Sequence, residues 1–303
     1  MSLHASKTCI ITNPSARGDK ARTFLEQKKA WEDVGIIMET RGPGDAEHLA
    51  SQAIGNGYTT VIAAGGDGTV FEVLNGLVST EVNRAEYRLG VLPLGTVNVF
   101  AKELGMPVNP FECKDILLNG YCRSIDLPSV YFQEDSLDQT RYFAQLGGAG
   151  LDAFAIQEVS FQLKKQIGPL AYVAAGLKVL SKKLPKIQCQ TTEGISVEGK
   201  LVLMGNGAFY GGRFRVFPDA ALDDGLLHAL VFHDVNWFQL PWRGIGLWLD
   251  KLHTQSGVTY LKSASLELKS EEFAYFELEG EVVGQLPARL QVSSEKLQVI
   301  VPN

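Results

Sequence analysis

The chain of 303 residues has no basic excess, little cysteine and no long apolar run, and each shortage excludes a class of protein. Its 28 Lys and Arg stand against 34 Asp and Glu, a net charge of −6. A nucleic-acid coat needs cations on its binding face to neutralise phosphates, so no nucleic-acid partner is expected. The four cysteines, at 9, 113, 122 and 189, form no C-x-x-C pair and no metal-ligand spacing. A chain of this length needs no disulfide framework to fold. The longest stretch free of Asp, Glu, Lys and Arg, 48–66, is interrupted by His, Ser, Gln, Asn and Thr. A spanning helix needs ~20 predominantly apolar residues. Met1 to Lys7 holds no apolar signal core, so a cytoplasmic protein that spans no membrane is expected. Five scattered histidines form no constellation, and neither G-x-x-x-x-G-K-[ST], a first-strand G-x-G-x-x-G, G-x-S-x-G nor H-E-x-x-H occurs.

What is present is a globular composition, 45% hydrophobic and 20% charged, long enough for two domains at ~150 residues each. Up to residue 125, strands and helices alternate. Strands are predicted at Lys7–Thr12, Gly35–Thr40, Tyr58–Ala64 and Tyr87–Leu94. Helices are predicted near 18–33, at 45–56, 69–76 and 97–104, the last stopped by Gly105 and Pro107. Strict alternation implies a mostly parallel sheet with helices on both faces. Past Asp126-Leu127-Pro128 the rhythm changes. Residues 129–154 read as strands around a polar turn at Glu134–Thr140, and 155–184 as a long helix interrupted at Gly168-Pro169. The segments 186–198, 200–206, 226–233, 257–269 and 273–301 read as strands, with an amphipathic stretch at Trp237–Leu252 between two of them. The expected architecture is an α/β domain followed by an antiparallel β domain.

Three strand exits of the first domain share one chemistry: Asn13-Pro14-Ser15-Ala16-Arg17-Gly18, Gly65-Gly66-Asp67-Gly68-Thr69 and Leu94-Gly95-Thr96-Val97-Asn98. Each turns through small or hydroxyl residues into a helix, at the carboxyl edge of the sheet where ligands collect. Helix N-termini offer unpaired N–H groups, and glycine lets backbone wrap a phosphate closely. A single such loop would be explained by ordinary capping; three on one edge point to phosphate. Asp67 would be repelled by a polyphosphate unless a divalent cation stood between, which implies a magnesium–nucleotide complex.

The run Gly65-Gly66-Asp67-Gly68-Thr69-Val70-Phe71-Glu72-Val73-Leu74-Asn75-Gly76-Leu77, followed by Leu92-Pro93-Leu94-Gly95-Thr96-Val97-Asn98, resembles the diacylglycerol/sphingosine/ceramide kinase catalytic family, in its bacterial diacylglycerol kinase-like branch. NAD kinases and phosphofructokinases share the first motif, and the second separates them. The likeness continues through Lys165-Gln166-Ile167-Gly168-Pro169-Leu170-Ala171-Tyr172, Gly205-Asn206-Gly207, Tyr210-Gly211-Gly212, Pro218-Asp219-Ala220, Asp224-Gly225-Leu226-Leu227 and Glu279-Gly280-Glu281, and so spans about 7 to 302.

The resemblance implies an NAD kinase/phosphofructokinase-like doubly wound domain over 1–127. It also implies a β-sandwich-like lipid-substrate domain over 128–294, with the strand near 295–303 returning to the first. It implies an ATP- and magnesium-dependent lipid kinase, with diacylglycerol giving phosphatidic acid as the leading reaction. Asn13, Pro14, Ser15, Ala16, Arg17, Thr40, Gly66, Asp67, Gly68, Thr69, Val70, Phe71, Glu72 and Thr96 match its ATP-contacting positions. Glu281 matches its proton acceptor, with Asp67 beside it as a catalytic group. Ala221, Asp224 and Leu226 match a structural magnesium site, the first and last through backbone carbonyls. Three departures stand out: Arg17 where glycine is usual, Val99 in place of an Asp, and Glu279 in place of the Asp of D-G-E. The alternatives are a sphingoid-base or other lipid kinase, an NAD kinase, and a nucleotide-binding regulator without turnover.

Two features point to a membrane surface independently of the family. Between Val159 and Thr192 there are six lysines and no acidic residue, and Lys164, Lys165, Lys178, Lys182 and Lys183 are candidates to face anionic lipid. Each contributes about 1 kcal/mol near such a surface. Three of the four tryptophans fall between Trp237 and Trp248, where they either pack a core or meet an interface. The expected location is the cytoplasm, peripheral at the inner face of the membrane.

Overall fold

The computed structural model describes residues 7–14, 19–158 and 183–303, which fall into two units: Met1–Leu127 with Ser293–Asn303, and Pro128–Val292.

In the first unit, β1 (Thr8–Thr12), β2 (Ile36–Glu39), β3 (Thr60–Gly65) and β4 (Arg88–Pro93) pair in parallel in the order β2-β1-β3-β4. β1 and β3 are buried along their whole length, and their unbroken apolar runs suit strands covered on both faces. The chain's last strand, β18 (Ala288–Val301), joins this sheet parallel to β4 through Val299 opposite Leu89. Helices α2 (Asp45–Gly55) and α3 (Asp67–Val78) cross almost backbone to backbone. A Cβ on Gly76 would lie 2.0 Å from the Glu47 carbonyl oxygen and 2.8 Å from Ala50 Cβ, so only glycine fits that crossing.

Several elements correct the sequence-based expectation. The helix expected near 18–33 is α1 (Asp19–Glu26), which breaks at Gln27 into a 3-10 turn, Lys28–Trp31. The tighter turn tucks Trp31 edge-on against Phe24, ring centroids 5.3 Å apart, with both side chains buried. After α4 (Val99–Glu103) comes an unexpected helix, α5 (Pro110–Asn119), capped by Asn109, whose Oδ1 accepts the Phe111 N–H at 3.0 Å. β5 (Tyr121–Glu134) and β6 (Leu137–Tyr142) meet in a two-residue turn, Asp135-Ser136, both at positive φ, rather than the longer polar turn expected. β7 (Leu146–Gly150) ends at Gly150 with φ +81°, and α6 (Leu151–Glu158) starts at once, inside a stretch expected to be strand. The expected interruption at Gly168-Pro169 lies outside the described residues.

The second unit is built from antiparallel strands. One sheet runs β14 (Val258–Ser263), β13 (Leu227–Phe232), β10 (Leu201–Gly205), β7, β16 (Tyr275–Leu278), β17 (Glu281–Gln285). Elsewhere β9 (Ser196–Gly199) pairs with β8 (Ile187–Thr191), β8 with β15 (Ser265–Lys269), and β15 with the start of β18. A short ribbon, β11 (Phe209–Tyr210) and β12 (Phe214–Arg215), packs Tyr210 and Phe214 against a core cluster that includes Leu203, Phe217, Leu230 and Phe232. Helix α7 (Leu240–Trp248) lies within the stretch read as amphipathic. The order of an α/β unit and then an antiparallel β unit is as expected. No helix among the described residues is long and apolar enough to cross a membrane.

Candidate active site

In the first unit two of the three strand exits are knitted together. β3 ends at Gly65, and its carbonyl accepts both the Leu94 N–H (2.9 Å) and the Gly95 N–H (3.2 Å) of the exit from β4. Gly66 caps α3 and passes directly over Gly95. A Cβ on Gly95 would stand 2.4 Å from Gly66 Cα and 2.7 Å from Asn98 Oδ1. Thr69 folds back over Gly65, where a Cβ would be 2.3 Å from its Oγ1. Asn98 takes the left-handed conformation (φ +54°), starts α4 and donates its Nδ2 to the Gly95 carbonyl at 2.8 Å. Its buried Oδ1 accepts no hydrogen bond among the described residues. The result is two loops packed backbone against backbone, with one unsatisfied acceptor beside the contact. That acceptor suits the cation of a nucleotide.

Asp67 behaves differently from the sequence-based expectation. It is the first residue of α3, half-buried, and its carboxylate turns to the start of α4, accepting the Phe100 N–H at 3.4 Å. Burial pushes its carboxyl above the ordinary range, and the amides of Phe100, Val99 and Asn98 pull it back. A carboxylate at a helix N-terminus satisfies otherwise orphan donors, so in this structure Asp67 ties the second loop to the third instead of pointing out at a phosphate. Glu72 is likewise engaged, its Oε2 accepting the Ala46 N–H at 3.0 Å in the first turn of α2. Val70 and Phe71 are buried in the helix face, Gly68 is half-buried and Thr96 is exposed. Thr40 is buried and donates its N–H to the Thr12 carbonyl at 2.9 Å, just before half-buried Asn13 and Pro14. Ser15, Ala16 and Arg17 lie outside the described residues.

In the second unit the Glu279-Gly280-Glu281 motif is a hairpin tip. Leu278 pairs with Glu281, and Glu279 (φ +53°) and Gly280 (φ +83°) make the two-residue turn between β16 and β17. Two successive positive φ values define the type I′ turn, whose second position favours glycine. The buried Glu279 carboxylate accepts the Ala144 N–H (2.8 Å) and the Gln145 N–H (2.7 Å). Asn206 grips the same segment from its other polar groups. Its Nδ2 donates to the Ala144 carbonyl at 2.9 Å and its N–H to the Gln145 carbonyl at 2.8 Å. The motifs at 205–207 and 279–281 thus converge, and the longer side chain of Glu279 keeps a full carboxylate clamp. Glu281 opens β17 in an exposed position.

Next to this tip lies a cluster that sequence reasoning missed. The Glu277 carboxylate is fully buried. Its Oε2 accepts the Gly280 N–H at 2.8 Å, and its Oε1 accepts the Tyr210 hydroxyl at 3.0 Å. The same hydroxyl bonds the Asp152 carboxylate. Burial pushes both carboxyls up, Glu277 well above its ordinary range, with Asp152 adding like-charge repulsion. Gly148 sits against all three side chains, a Cβ there falling 2.9–3.0 Å from each. Tyr210 belongs to a motif singled out in the sequence, but nothing in the spacing of 152, 210 and 277 announces that they meet.

The proposed metal positions lie on the loop before β13. Asp224 Oδ2 accepts the Ala221 N–H (3.0 Å) and is 2.9 Å from His228 Nε2, while Oδ1 accepts the Leu226 N–H (2.9 Å). Oδ1 keeps a second lone pair, and the Ala221 carbonyl, which accepts the Asp224 N–H at 3.2 Å, and the Leu226 carbonyl are oxygens of the hard kind magnesium takes. Among the described residues no three His, Cys, Asp or Glu converge as a metal site. Of the candidate surface lysines, Lys183 is ion-paired with Glu272. Lys164, Lys165, Lys178 and Lys182 lie outside the described residues.

Residues 7–130 match the model of the diacylglycerol kinase catalytic domain, and 147–301 that of the YegS C-terminal NAD kinase beta sandwich-like domain. The diacylglycerol kinase of Bacillus subtilis (strain 168) is 29% identical over 303 residues, 97% of this chain and 95% of that protein. A diacylglycerol kinase of Staphylococcus epidermidis is 30% identical over 302 residues, covering 97% and 91%. A Stenotrophomonas maltophilia protein named "Probable lipid kinase YegS-like" is 30% identical over 304 residues, covering 97% and 95%. In fold, the crystal structure of a diacylglycerol kinase from Bacillus anthracis str. Sterne superposes with a TM-score of 0.69 at 21% identity, covering 98% of this chain and 97% of that one.

Proposed function

The chain belongs to the diacylglycerol kinase catalytic-domain family and is a lipid kinase, and from that premise we propose that it moves the γ-phosphate of ATP to the free hydroxyl of diacylglycerol. The products are ADP and phosphatidic acid. The relatives named diacylglycerol kinase support that acceptor over a sphingoid base, another lipid alcohol or NAD. A peripheral place at the cytoplasmic face of the membrane follows from the acceptor.

The observation that carries the reading is the hairpin tip. Glu281 is an exposed carboxylate held at one end of a type I′ turn, and that turn is pinned by Glu279 to the 144–145 backbone and by Glu277 to Gly280. A positioned carboxylate that takes the proton from an attacking hydroxyl contributes ~10²–10⁴-fold. Asn13 and Pro14 with Ser15, Ala16 and Arg17, Thr40, Gly66, Gly68, Thr69 and Thr96 would bind the nucleotide, with Val70, Phe71 and Glu72 holding the helix behind them. Gly66 caps α3, and the unpaired N–H groups of the helix N-terminus that follows it suit a phosphate. Asp67 serves by holding the loop at Asn98–Phe100 in place. Magnesium, when bound with the nucleotide, neutralises charge on the transferring phosphoryl group. A structural ion would be held by Ala221, Asp224 and Leu226.

The test is transfer of label from γ-labelled ATP, with magnesium, to mixed micelles carrying diacylglycerol, sphingosine, ceramide or monoacylglycerol, with NAD as a further acceptor. Label in diacylglycerol is expected. Glu281→Gln should lose about 10²-fold or more in turnover while binding an ATP analogue as before. Near-normal turnover in that variant removes Glu281 from the mechanism. Label in NAD alone, or bound ATP without any transfer, refutes the lipid-kinase assignment of the acceptor.

A further inference from the structure

From Trp237 to Leu249 the chain has no acidic residue and a single cation, Arg243. Helix α7 rests on its unit by its small and polar side. Gly246 is buried where a Cβ would lie 2.2 Å from Gln255 Nε2. Gln255 donates to the Trp242 carbonyl at 2.6 Å and accepts from Arg243 Nη1 at 3.1 Å. Leu247 joins the core cluster of Leu230 and Phe232, and the Arg243 guanidinium lies 5.5 Å from the centroid of the Phe232 ring.

The bulk points the other way. Phe238 is 95% exposed, Trp248 68%, Trp242 55%, Ile245 50%, and Trp237 and Leu249 about as much. Positions 242, 245 and 248–249 recur every three or four residues, so they form one ridge along the helix, with Trp237 and Phe238 in the turn that leads into it. An ordinary surface helix buries its apolar stripe; this one buries glycine and displays its rings. Whole aromatic side chains offer about 150–250 Å² each, so the exposed fractions add to several hundred Å², the size at which an exposed apolar patch commonly marks a contact site.

The rim says what the partner is. The Arg213 guanidinium stacks 4.8 Å from the Trp248 ring centroid, and Arg213, Arg215 and Lys251 are exposed around the ridge. Asp234 is ion-paired with Lys200, and Asp250, whose Oδ1 accepts the Arg215 backbone N–H, is one carboxylate against these three cations. Tryptophan rings flanked by a cationic excess match the headgroup layer of an anionic bilayer. A two-fold contact with a second copy would set the same cations against each other. We propose that the Trp237–Leu249 ridge is the surface by which this protein docks on an anionic lipid bilayer, its rings in the headgroup region. The choice of a bilayer rests on the lipid-acceptor reading; the ridge itself does not.

Trp31 is fully buried in the first unit, so every other tryptophan reports on the ridge. Intrinsic fluorescence should be quenched by vesicles of phosphatidylglycerol and phosphatidylcholine with brominated chains, with Trp31 as the unquenched remainder. The double variant Trp242→Ser/Trp248→Ser, checked by circular dichroism for an unchanged fold, should lose at least about tenfold in vesicle partition, because two rings no longer leave water. It should lose turnover on vesicle-borne diacylglycerol to match, yet keep it on a short-chain diacylglycerol dissolved as monomer. Absence of quenching, or equal partition of variant and wild type, overturns the proposal. So does a variant that turns a dimer into a monomer with partition unchanged. Wild type that docks through the ridge but phosphorylates no lipid upholds the docking and refutes the acceptor. Turnover on the dissolved lipid without docking does the reverse.

Discussion

Glu277 lies where a charge is expensive: fully buried, within reach of a second carboxyl and sharing a phenol hydroxyl with it. Burial, then the neighbouring Asp152 charge, pushes its carboxyl well above the ordinary range, and Asp152 rises for the same first reason. The folded state therefore holds a proton that the unfolded chain, with an ordinary value of about 4, gives up. Protons bound in excess by the folded state make stability fall as pH rises, from the unfolded carboxyl range up through the raised one. Glu277→Gln keeps an acceptor for the Gly280 N–H and a polar group for Tyr210 while removing the titration. Urea melts between pH 4.5 and 8 should show a shallower decline for the variant, by at most about 1.4 kcal/mol per pH unit. Parallel curves would mean that the pair does not release a proton on unfolding. None of this was legible in the sequence. Asp152, Tyr210 and Glu277 share no spacing rule, and only packing decides that they share one buried point.

At the scale of elements, what could be read and what could not follow from how each segment meets its neighbours. The strands β1, β3 and β4 were legible because a parallel strand covered on both faces is an unbroken apolar run. The loops after β3 and β4 were legible as glycine-rich helix entries, but not their mutual contact. Helix α5 was overlooked, although Asn109-Pro110 with Glu112 is an adequate start signal, Asn109 Nδ2 meeting Glu112 Oε1 at 3.2 Å. Residues 151–154 read as strand because a short apolar run does not distinguish strand from buried helix, and the deciding feature is the positive φ of Gly150. The loop contact can be tested directly. Gly95→Ala drives a Cβ to 2.4 Å from Gly66 Cα, backbone against backbone, whereas a Cβ on Gly66 stands at 3.4 Å from Gly95 Cα, an ordinary contact. Overpacking with no side chain free to yield costs about 1–3 kcal/mol. Gly95→Ala should therefore lose that much in urea unfolding, with Gly66→Ala much closer to wild type in the same measurement. Equal behaviour of the two would mean that the loops separate at little cost.

For the whole molecule, the assignment divides the labour by unit. Every residue given to the nucleotide, from Asn13 to Thr96, belongs to the first unit, and the carboxylate given to the acceptor hydroxyl, Glu281, to the second. Each unit has its own buried strands, Ile62, Ala63 and Val91 in one and Val202, Ala229 and Val231 in the other. A ligand that binds only the folded form of one unit stabilises that unit by RT ln(1 + [L]/Kd), about 2.7 kcal/mol at a hundredfold excess over Kd. Amides that exchange only when the unit opens slow by the same factor, on the order of 100-fold. Hydrogen exchange with and without a non-hydrolysable ATP analogue and magnesium should therefore slow Ile62, Ala63 and Val91 by up to that factor, and Val202, Ala229 and Val231 by distinctly less. The loop amides at 66–69 and 96–97 should slow as well, because they are to face the phosphates. Equal slowing in both sets would make the two units one cooperative body. Slowing confined to the second set would take the nucleotide away from Gly65–Thr69 and Leu94–Asn98 altogether.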